Sequence, residues 1–326
     1  MGKILITGGG GFIGFHLAKS LLKDGHQVTL LENFIRGKKD RDFTKIIKQK
    51  NITLIQGDIT DYNTFTNIDD NYNAVFHFAA INGTENFYKI PDQVLKVGTL
   101  GTLNILDWFV KGSNGKLIFA SSSETYAGTL KIMGKDFPIP TPEDIPLTIN
   151  NPANPRWSYG GSKILGELAL HAYDKAHKLN NWSIVRFHNI YGPRMGYEHV
   201  IPQMIGRVIN KENPFVVFDP EATRSFCFIE DAVQALKIVL KSKGTNKATI
   251  NIGRSDGEIK ISELAKKIFS IANVSPQMIE KAGPKGSVKL RCPNIDKLNQ
   301  LGFKPEIDLE NGIKKTYNWY IKEVKH

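Results

Sequence analysis

The chain has 326 residues, 41% of them hydrophobic and 23% charged, with a formal net charge of +11; this length holds one large core and a smaller lobe, because single cores stop growing near about 250–300 residues. Only nine of the 43 basic residues are arginine and the lysines are scattered, which excludes nucleic-acid binding and leaves a solvated surface suited to attracting an anionic substrate. Cys227 and Cys292 are too few and too far apart for a disulfide framework or metal site, no apolar run approaches the ~18 residues of a membrane span, and residues 1–6 run into glycines as a first strand and not as a signal peptide, so a cytoplasmic protein with no membrane partner is expected.

Lys3-Ile-Leu-Ile-Thr7 predicts a short buried parallel strand, Gly8 to Gly14 a turn, and 15–22 an amphipathic helix. Gly8 permits a tight turn, Gly11 lets backbone amides approach a pyrophosphate, and Gly14 allows close packing of helix on strand, with the anion at the helix amino end and Phe12 and Ile13, in the same turn, also expected at the cofactor. The Gly8, Gly11, Gly14 spacing departs from the usual G-x-G-x-x-G. A second strand, 27–31, ends at Glu32, eighteen residues past Gly14. A carboxylate there accepts the adenosine ribose hydroxyls and repels a 2'-phosphate, which favours NAD over NADP. In the loop that follows, Asn33, Arg36 and Lys38 are either adenosine contacts or a solvated basic segment.

Further apolar strands are expected at 53–56, 74–78, 117–120, 184–187 and 249–252, alternating with helical stretches. That alternation predicts an α/β fold with a doubly wound parallel sheet and helices on both faces. A Pro-rich loop at 137–155 leads into Arg156-Trp-Ser-Tyr-Gly-Gly-Ser-Lys163. On a helix, Tyr159 and Lys163 project from one face, so the ammonium can stabilise a tyrosinate. A phenol with an ordinary value near about 10 must fall by about 3 units to act as a base at neutral pH, roughly 4 kcal/mol, which one lysine plus a cationic nicotinamide can supply.

The ordered landmarks are Thr7-Gly-Gly-Gly-Gly-Phe-Ile-Gly14, Gly57-Asp-Ile59, His77-Phe-Ala-Ala80, Ser121-Ser-Ser-Glu-Thr-Tyr126, Tyr159 to Lys163, His188-Asn-Ile-Tyr-Gly-Pro-Arg194 and Thr223-Arg-Ser-Phe-Cys-Phe228. Carrying them over nearly its whole length, the chain resembles the extended short-chain dehydrogenase/reductase family, in its NAD-dependent nucleotide-sugar epimerase/dehydratase branch. The resemblance implies a Rossmann NAD-binding domain at 1–188 plus about 222–254, and a smaller C-terminal α/β nucleotide-sugar lobe at about 189–221 plus 255–326. It implies that Asp58 and Ile59 flank the adenine and that Phe78, Ala79 and Ala80 line the path of the cofactor phosphates and ribose. It also implies a homodimer formed through the helices near 92–110 and 159–177.

In the family a catalytic Ser or Thr lies four residues before a Tyr, and counting back from Tyr126 gives Ser122, with Ser123 as fallback. Its hydroxyl would bond the sugar oxygen and the Tyr159 phenol. Glu124 falls where related dehydratases and decarboxylases carry an acid or base, with a solvated acid at a strand end as the plainer reading. The family's usual Asn before the Gly-Thr pair is Gly98 here, which puts the usual proton relay in doubt, and a water is expected in its place. Asn189, Arg224 and Arg291 are expected on the substrate diphosphate, for which paired guanidinium donors are suited, and Arg194 either joins them or holds its loop. The segment 200–209 reads as an amphipathic helix over the nucleotide. The leading expectation is oxidation at C4 of a nucleotide-diphosphate sugar by NAD, most simply as a 4-epimerase. The alternatives are a 4,6-dehydratase or a UDP-glucuronate-type decarboxylase using Glu124, and, in another class, a non-catalytic NAD-binding sensor.

Overall fold

Alternating blocks of β-branched or aromatic residues and amphipathic stretches fold as the periodicities predict. The computed structural model describes residues 1–66, 68–112, 115–283 and 290–324. Seven strands form the main sheet: β1 (Lys3–Thr7), β2 (Gln27–Glu32), β3 (Ile52–Gln56), β4 (Ala74–His77), β5 (Lys116–Ser122), β6 (Trp182–Phe187) and β7 (Ala248–Ile252). Their order is β7-β6-β5-β4-β1-β2-β3, and the pairs β1–β2, β1–β4, β2–β3 and β4–β5 are parallel. The order reverses between β1 and β4, and a doubly wound sheet places its ligand crevice at the carboxyl ends of the strands at that point.

The chain divides into two compact units. The first comprises Met1–Lys135, Pro146–Arg186 and Ala235–Ile250, and the second Asp136–Ile145, Phe187–Gln234 and Asn251–His326. Of the segment 222–254 that the resemblance assigns to the sheet domain, 235–250 group with the first unit and 222–234 and 251–254 with the second, where Thr223–Arg224 pairs with Ile259–Lys260 and Leu290–Arg291, and Cys227–Phe228 pairs with Ile190–Tyr191. The Pro-rich loop is likewise split: its part at 136–145 belongs to the second unit, where Thr141 N–H donates to the Cys292 carbonyl at 2.8 Å.

In the first unit, β1, β4 and β5 are buried along nearly their whole length, as strands covered on both faces must be. Helices Pro91–Gly112 and Trp157–His177 pack against each other, with the Tyr173 hydroxyl donating to Asp107 Oδ1 at 2.6 Å. Lys116, at the start of β5, is buried at 3% exposure. Its Nζ donates to the Val239 carbonyl at 2.7 Å, the Ser242 carbonyl at 3.2 Å and Thr245 Oγ1 at 2.6 Å, so it closes the carboxyl end of helix Ile229–Lys241. Lys116→Met keeps the apolar stem and removes the donor. It is expected to lower stability by about 1–3 kcal/mol, the cost of leaving buried acceptors unsatisfied, and a shifted urea midpoint at constant slope checks this.

In the second unit, helix Val200–Ile209 occupies the bounds its periodicity predicts and buries Ile201, Pro202, Met204, Ile205 and Val208. Among the described residues no helix is long and apolar enough to cross a membrane, and no group of His, Cys, Asp and Glu side chains is placed to hold a metal ion.

Candidate active site

The glycine turn after β1 is held at van der Waals limits. Gly8 has φ +71°, and a Cβ there would stand 2.8 Å from the Ala79 backbone nitrogen. A Cβ on Gly14 would stand 2.4 Å from the Gly8 carbonyl oxygen. Gly11 is the N-cap of helix Phe12–Lys23, supplies no side-chain cap, and the first turn carries no acid, so the helix amino end presents backbone N–H groups and positive dipole to an anion. Across the turn, the buried Glu32 carboxylate accepts from Gly10 N–H and from Phe34 N–H, both at 2.9 Å. Asn33 Nδ2 donates to Asp58 Oδ2 at 3.1 Å. Burial pushes the Asp58 carboxyl up, but hydrogen bonds from Thr60 and Asn33 outweigh it and hold the group below its ordinary value. Ala79 N–H donates to Thr7 Oγ1 at 3.2 Å, tying the segment of Phe78, Ala79 and Ala80 to the end of β1, and Ile59 is buried behind it. A small-residue cradle at a bare helix end, followed by a carboxylate at the end of β2, fits the diphosphate and adenosine ribose of NAD.

Beside this cradle, β5 and helix Trp157–His177 bring Ser122, Tyr159, Lys163 and Glu124 together. Of the three consecutive serines, Ser122 is the one whose hydroxyl acts on the Tyr159 phenol, favouring its ionised form. Its Oγ also accepts from Glu124 N–H at 3.2 Å, which caps the short helix Ser123–Tyr126. Ser121 turns the other way and donates to Glu167 Oε1 at 2.5 Å, while Ser123 begins the short helix and is buried.

The Tyr159 ring is only 6% exposed and stacks on Phe87 at 4.8 Å with a 9° interplanar angle, among Ile81 and Val94. The phenol departs from the sequence expectation of a depressed value. Burial pushes it up to about 12, with the Ser122 hydrogen bond and Arg36 pulling down and the Glu124 charge pushing further up. Lys163 Nζ lies 5.7 Å from the Tyr159 ring centre and 5.1 Å from that of Phe119. Burial lowers the Lys163 ammonium to about 8, opposed by Glu167. The i to i+4 spacing therefore sets the two groups on one face, but in the protein alone desolvation dominates and the cation that draws the phenol down is Arg36.

Position 98 corrects a second expectation. No water is needed there, because Ser162 fills the place: a Cβ on Gly98 would meet Ser162 Oγ at 2.4 Å and Ser162 Cβ at 2.6 Å. Ser162 is fully buried and donates to the Tyr159 carbonyl at 2.8 Å. Thr102 Oγ1 donates to the Gly98 carbonyl at 2.6 Å and meets His77 Nε2 at 3.2 Å, while His77 Nδ1 meets Thr7 Oγ1 at 2.8 Å. Gly98→Ala is expected to lower stability by about 1–3 kcal/mol through overpacking. Ser162→Gly in the same chain should return part of that loss, as chemical denaturation of the single and double variants will show.

In the second unit, Asn189 has φ 43° and its Nδ2 donates to the Ser225 carbonyl at 3.0 Å. Arg224 and Arg291 stand in register on neighbouring parallel strands. Arg224 Nη1 donates to the Thr223 carbonyl at 2.7 Å. Arg194 is 5% exposed and has φ 68°, a placement suited to the loop-holding alternative.

Sequence reasoning passed over Arg156, whose Nε and Nη2 donate to Glu124 Oε2 at 3.0 and 2.5 Å, although it opens the run that contains Tyr159. It also passed over Phe87 and the Glu167–Arg186 pair, which no local motif marks.

A profile of the NAD dependent epimerase/dehydratase family matches residues 4–253. The chain belongs to this family. It is 36% identical over 336 residues, 99% of both chains, to a UDP-N-acetyl-alpha-D-glucosaminuronate decarboxylase of Bacillus cytotoxicus. It is 30% identical over 319 residues, 97% of both chains, to a putative UDP-glucose 4-epimerase of Methanocaldococcus jannaschii. Among solved structures, the UDP-glucose 4-epimerase of Thermotoga maritima with UDP-glucose superposes with a TM-score of 0.84 at 26% identity, covering 99% of each chain. The protein is thus an NAD-dependent enzyme of the nucleotide-sugar epimerase, dehydratase and decarboxylase group.

Proposed function

We propose that the protein oxidises C4 of a UDP-linked uronic acid and then releases carbon dioxide from it. The observation that carries the first step is the convergence of Ser122 and Lys163 on Tyr159: the Ser122 hydroxyl acts to lower the phenol, and Lys163 Nζ lies 5.7 Å from the ring centre on the same helix face. When bound, NAD supplies the acceptor for the C4 hydride and a positive ring charge. Gly8, Gly11, Phe12, Ile13, Glu32, Asn33, Asp58, Ile59 and the segment 78–80 would hold it.

Tyr159 takes the proton of the C4 hydroxyl while Ser122 holds that oxygen, and Lys163 stabilises the phenolate. A ketone at C4 makes the C6 carboxylate a β-keto acid. Cleavage of the C5–C6 bond releases carbon dioxide and leaves its electron pair as an enolate on the C4 oxygen, to which Tyr159, now protonated, and Ser122 both donate. Glu124, two residues beyond Ser122, is the added acid or base for the proton that C5 then takes up. Asn189, Arg224 and Arg291 bind the diphosphate, with Arg194 holding its loop.

The decarboxylase reading departs from plain 4-epimerisation because of the 36% relative and the presence of Glu124. The 4-epimerase reading is favoured instead by the Methanocaldococcus and Thermotoga relatives. Incubation with UDP-N-acetylglucosaminuronate, UDP-glucuronate, UDP-N-acetylglucosamine and UDP-glucose separates the two by product mass. Loss of carbon dioxide from a uronate is the expected result. Unchanged mass with inverted C4 means epimerase, loss of water means dehydratase, and no turnover with NAD retained returns the sensor reading.

The homodimer is proposed on the same helices as the sequence suggests. Leu95, Leu103, Leu165 and Leu168 remain exposed on Pro91–Gly112 and Trp157–His177, Leu168 at 62%, and such apolar surface on adjacent helices calls for a partner.

A further inference from the structure

Three charged side chains beside the phenol lie on two elements. Arg156 is the N-cap residue of helix Trp157–His177, three residues before Tyr159 and seven before Lys163, so all three share one helix face. Glu124 lies on the short helix Ser123–Tyr126, whose cap is the same Ser122 that favours the ionised phenol. Arg156 reaches across to Glu124 through two nitrogens on one carboxylate oxygen, with side chains 22% and 15% exposed. Partial burial makes such a pair stronger than a surface one and makes the loss of one partner costly to the other.

We propose that Arg156 is a positioning residue for proton transfer at Tyr159 and acts through Glu124: it draws the Glu124 carboxylate to itself, so that the phenol faces an ion pair and not a lone anion. The inference rests on the C4-oxidation step of the function proposed above and holds whichever product follows. The groups acting on Tyr159 are Ser122 and Glu124 from the β5 end and Arg36 from the loop after β2, while Lys163 on its own helix stands 5.7 Å from the ring centre; Phe87, Ile81 and Val94, which cover the ring, carry no charge. Among these, Glu124 is the group that opposes ionisation. A phenolate forming beside an uncompensated carboxylate is disfavoured, because like charges within a few ångströms raise the value of the second acid to ionise. The sign is therefore fixed: without Arg156, ionisation of Tyr159 moves to higher pH.

The test uses the NAD-loaded protein and two readouts. The first is the pH dependence of the initial hydride transfer on adding nucleotide sugar, a step that needs no group at C5. The second is the ring-carbon NMR titration of tyrosine-labelled protein, in which Tyr159→Phe assigns one signal among the chain's 10 tyrosines. Arg156→Met is expected to move the acidic limb up by about one unit, a roughly tenfold loss below it, and to move the Tyr159 ring signal in the same direction. In the Glu124→Gln background the same substitution should change the rate by less than about threefold, since there is no carboxylate left to hold.

Equal losses in both backgrounds, or an unmoved limb and ring signal, overturn the inference. So does abolition of hydride transfer by Glu124→Gln, because the carboxylate would then be required and not merely compensated. If Arg156→Met does not fold, Arg156→Lys keeps a cation without the planar fork and should give an intermediate displacement; no displacement counts against the idea. The function reading fails separately: in that case Tyr159→Phe retains hydride transfer, whatever Arg156 does.

Discussion

Tyr159→Phe is expected to reduce turnover of the nucleotide sugar by roughly 10²–10⁴-fold, the usual contribution of a positioned proton-transfer group, with NAD affinity unchanged. The substitution removes one oxygen and keeps the ring, so the stack on Phe87 at 4.8 Å and the apolar cluster with Ile81 and Val94 survive. A companion effect is set by pH. Burial raises the phenol to about 12 and lowers Lys163 to about 8, so the wild-type rate should rise with pH as the phenol becomes easier to ionise. It should then level off as pH passes through about 8, where the loss of the Lys163 charge cancels the further gain in phenolate. Steady-state rates across the range, with bound NAD measured by filtration, check both statements. Full turnover by the phenylalanine variant would remove Tyr159 from the chemistry.

Local signals carried the first unit's framework because each was self-contained. Lys3–Thr7 is a run of apolar residues that fits a strand buried on both faces, Gly8 to Gly14 needs its glycines for reasons of close approach, and Glu32 stands at the end of the next strand. The helix over 200–209 was equally plain, since its apolar residues recur at helical spacing. The second unit's small sheets were not readable in this way: two-residue strands such as Thr223–Arg224 and Leu290–Arg291 have no period of their own and exist through their partners. The same limit applies at the candidate site. Spacing placed Tyr159 and Lys163 on one face, but the phenol's acidity depends on Phe87, 72 positions earlier in the chain, covering the ring. In the sequence Gly98 reads as a missing side chain, and only the fold brings Ser162, from another helix, into its space.

Arg186→Leu is expected to destabilise the protein by about 3–5 kcal/mol, the cost of stranding one member of a buried pair. Arg186 on β6 donates from Nε to Glu167 Oε1 at 2.9 Å and from Nη2 to Glu167 Oε2 at 2.6 Å, and its Nη1 donates to the Tyr126 hydroxyl at 2.7 Å. The two charged side chains are 5% and 7% exposed, and Ser121 adds a donor to Glu167 Oε1. With leucine in place, Glu167 keeps only Ser121 among these partners, and a buried carboxylate so placed must either take up a proton or admit water. The network joins β5, β6 and helix Trp157–His177, so it fixes Ser121, and with it Ser122, against the helix that carries Tyr159 and Lys163. Loss of stability and loss of rate should therefore travel together in Arg186→Leu. The double variant Arg186→Leu with Glu167→Leu, which removes both charges, should recover much of the stability, because well-packed apolar residues often replace a buried pair at little cost. Its rate should stay low, since the hydrogen bond from Ser121 to that helix is then lost. Urea unfolding and turnover measured on the same three proteins would separate the two effects, and a double variant with full activity would refute the positioning role.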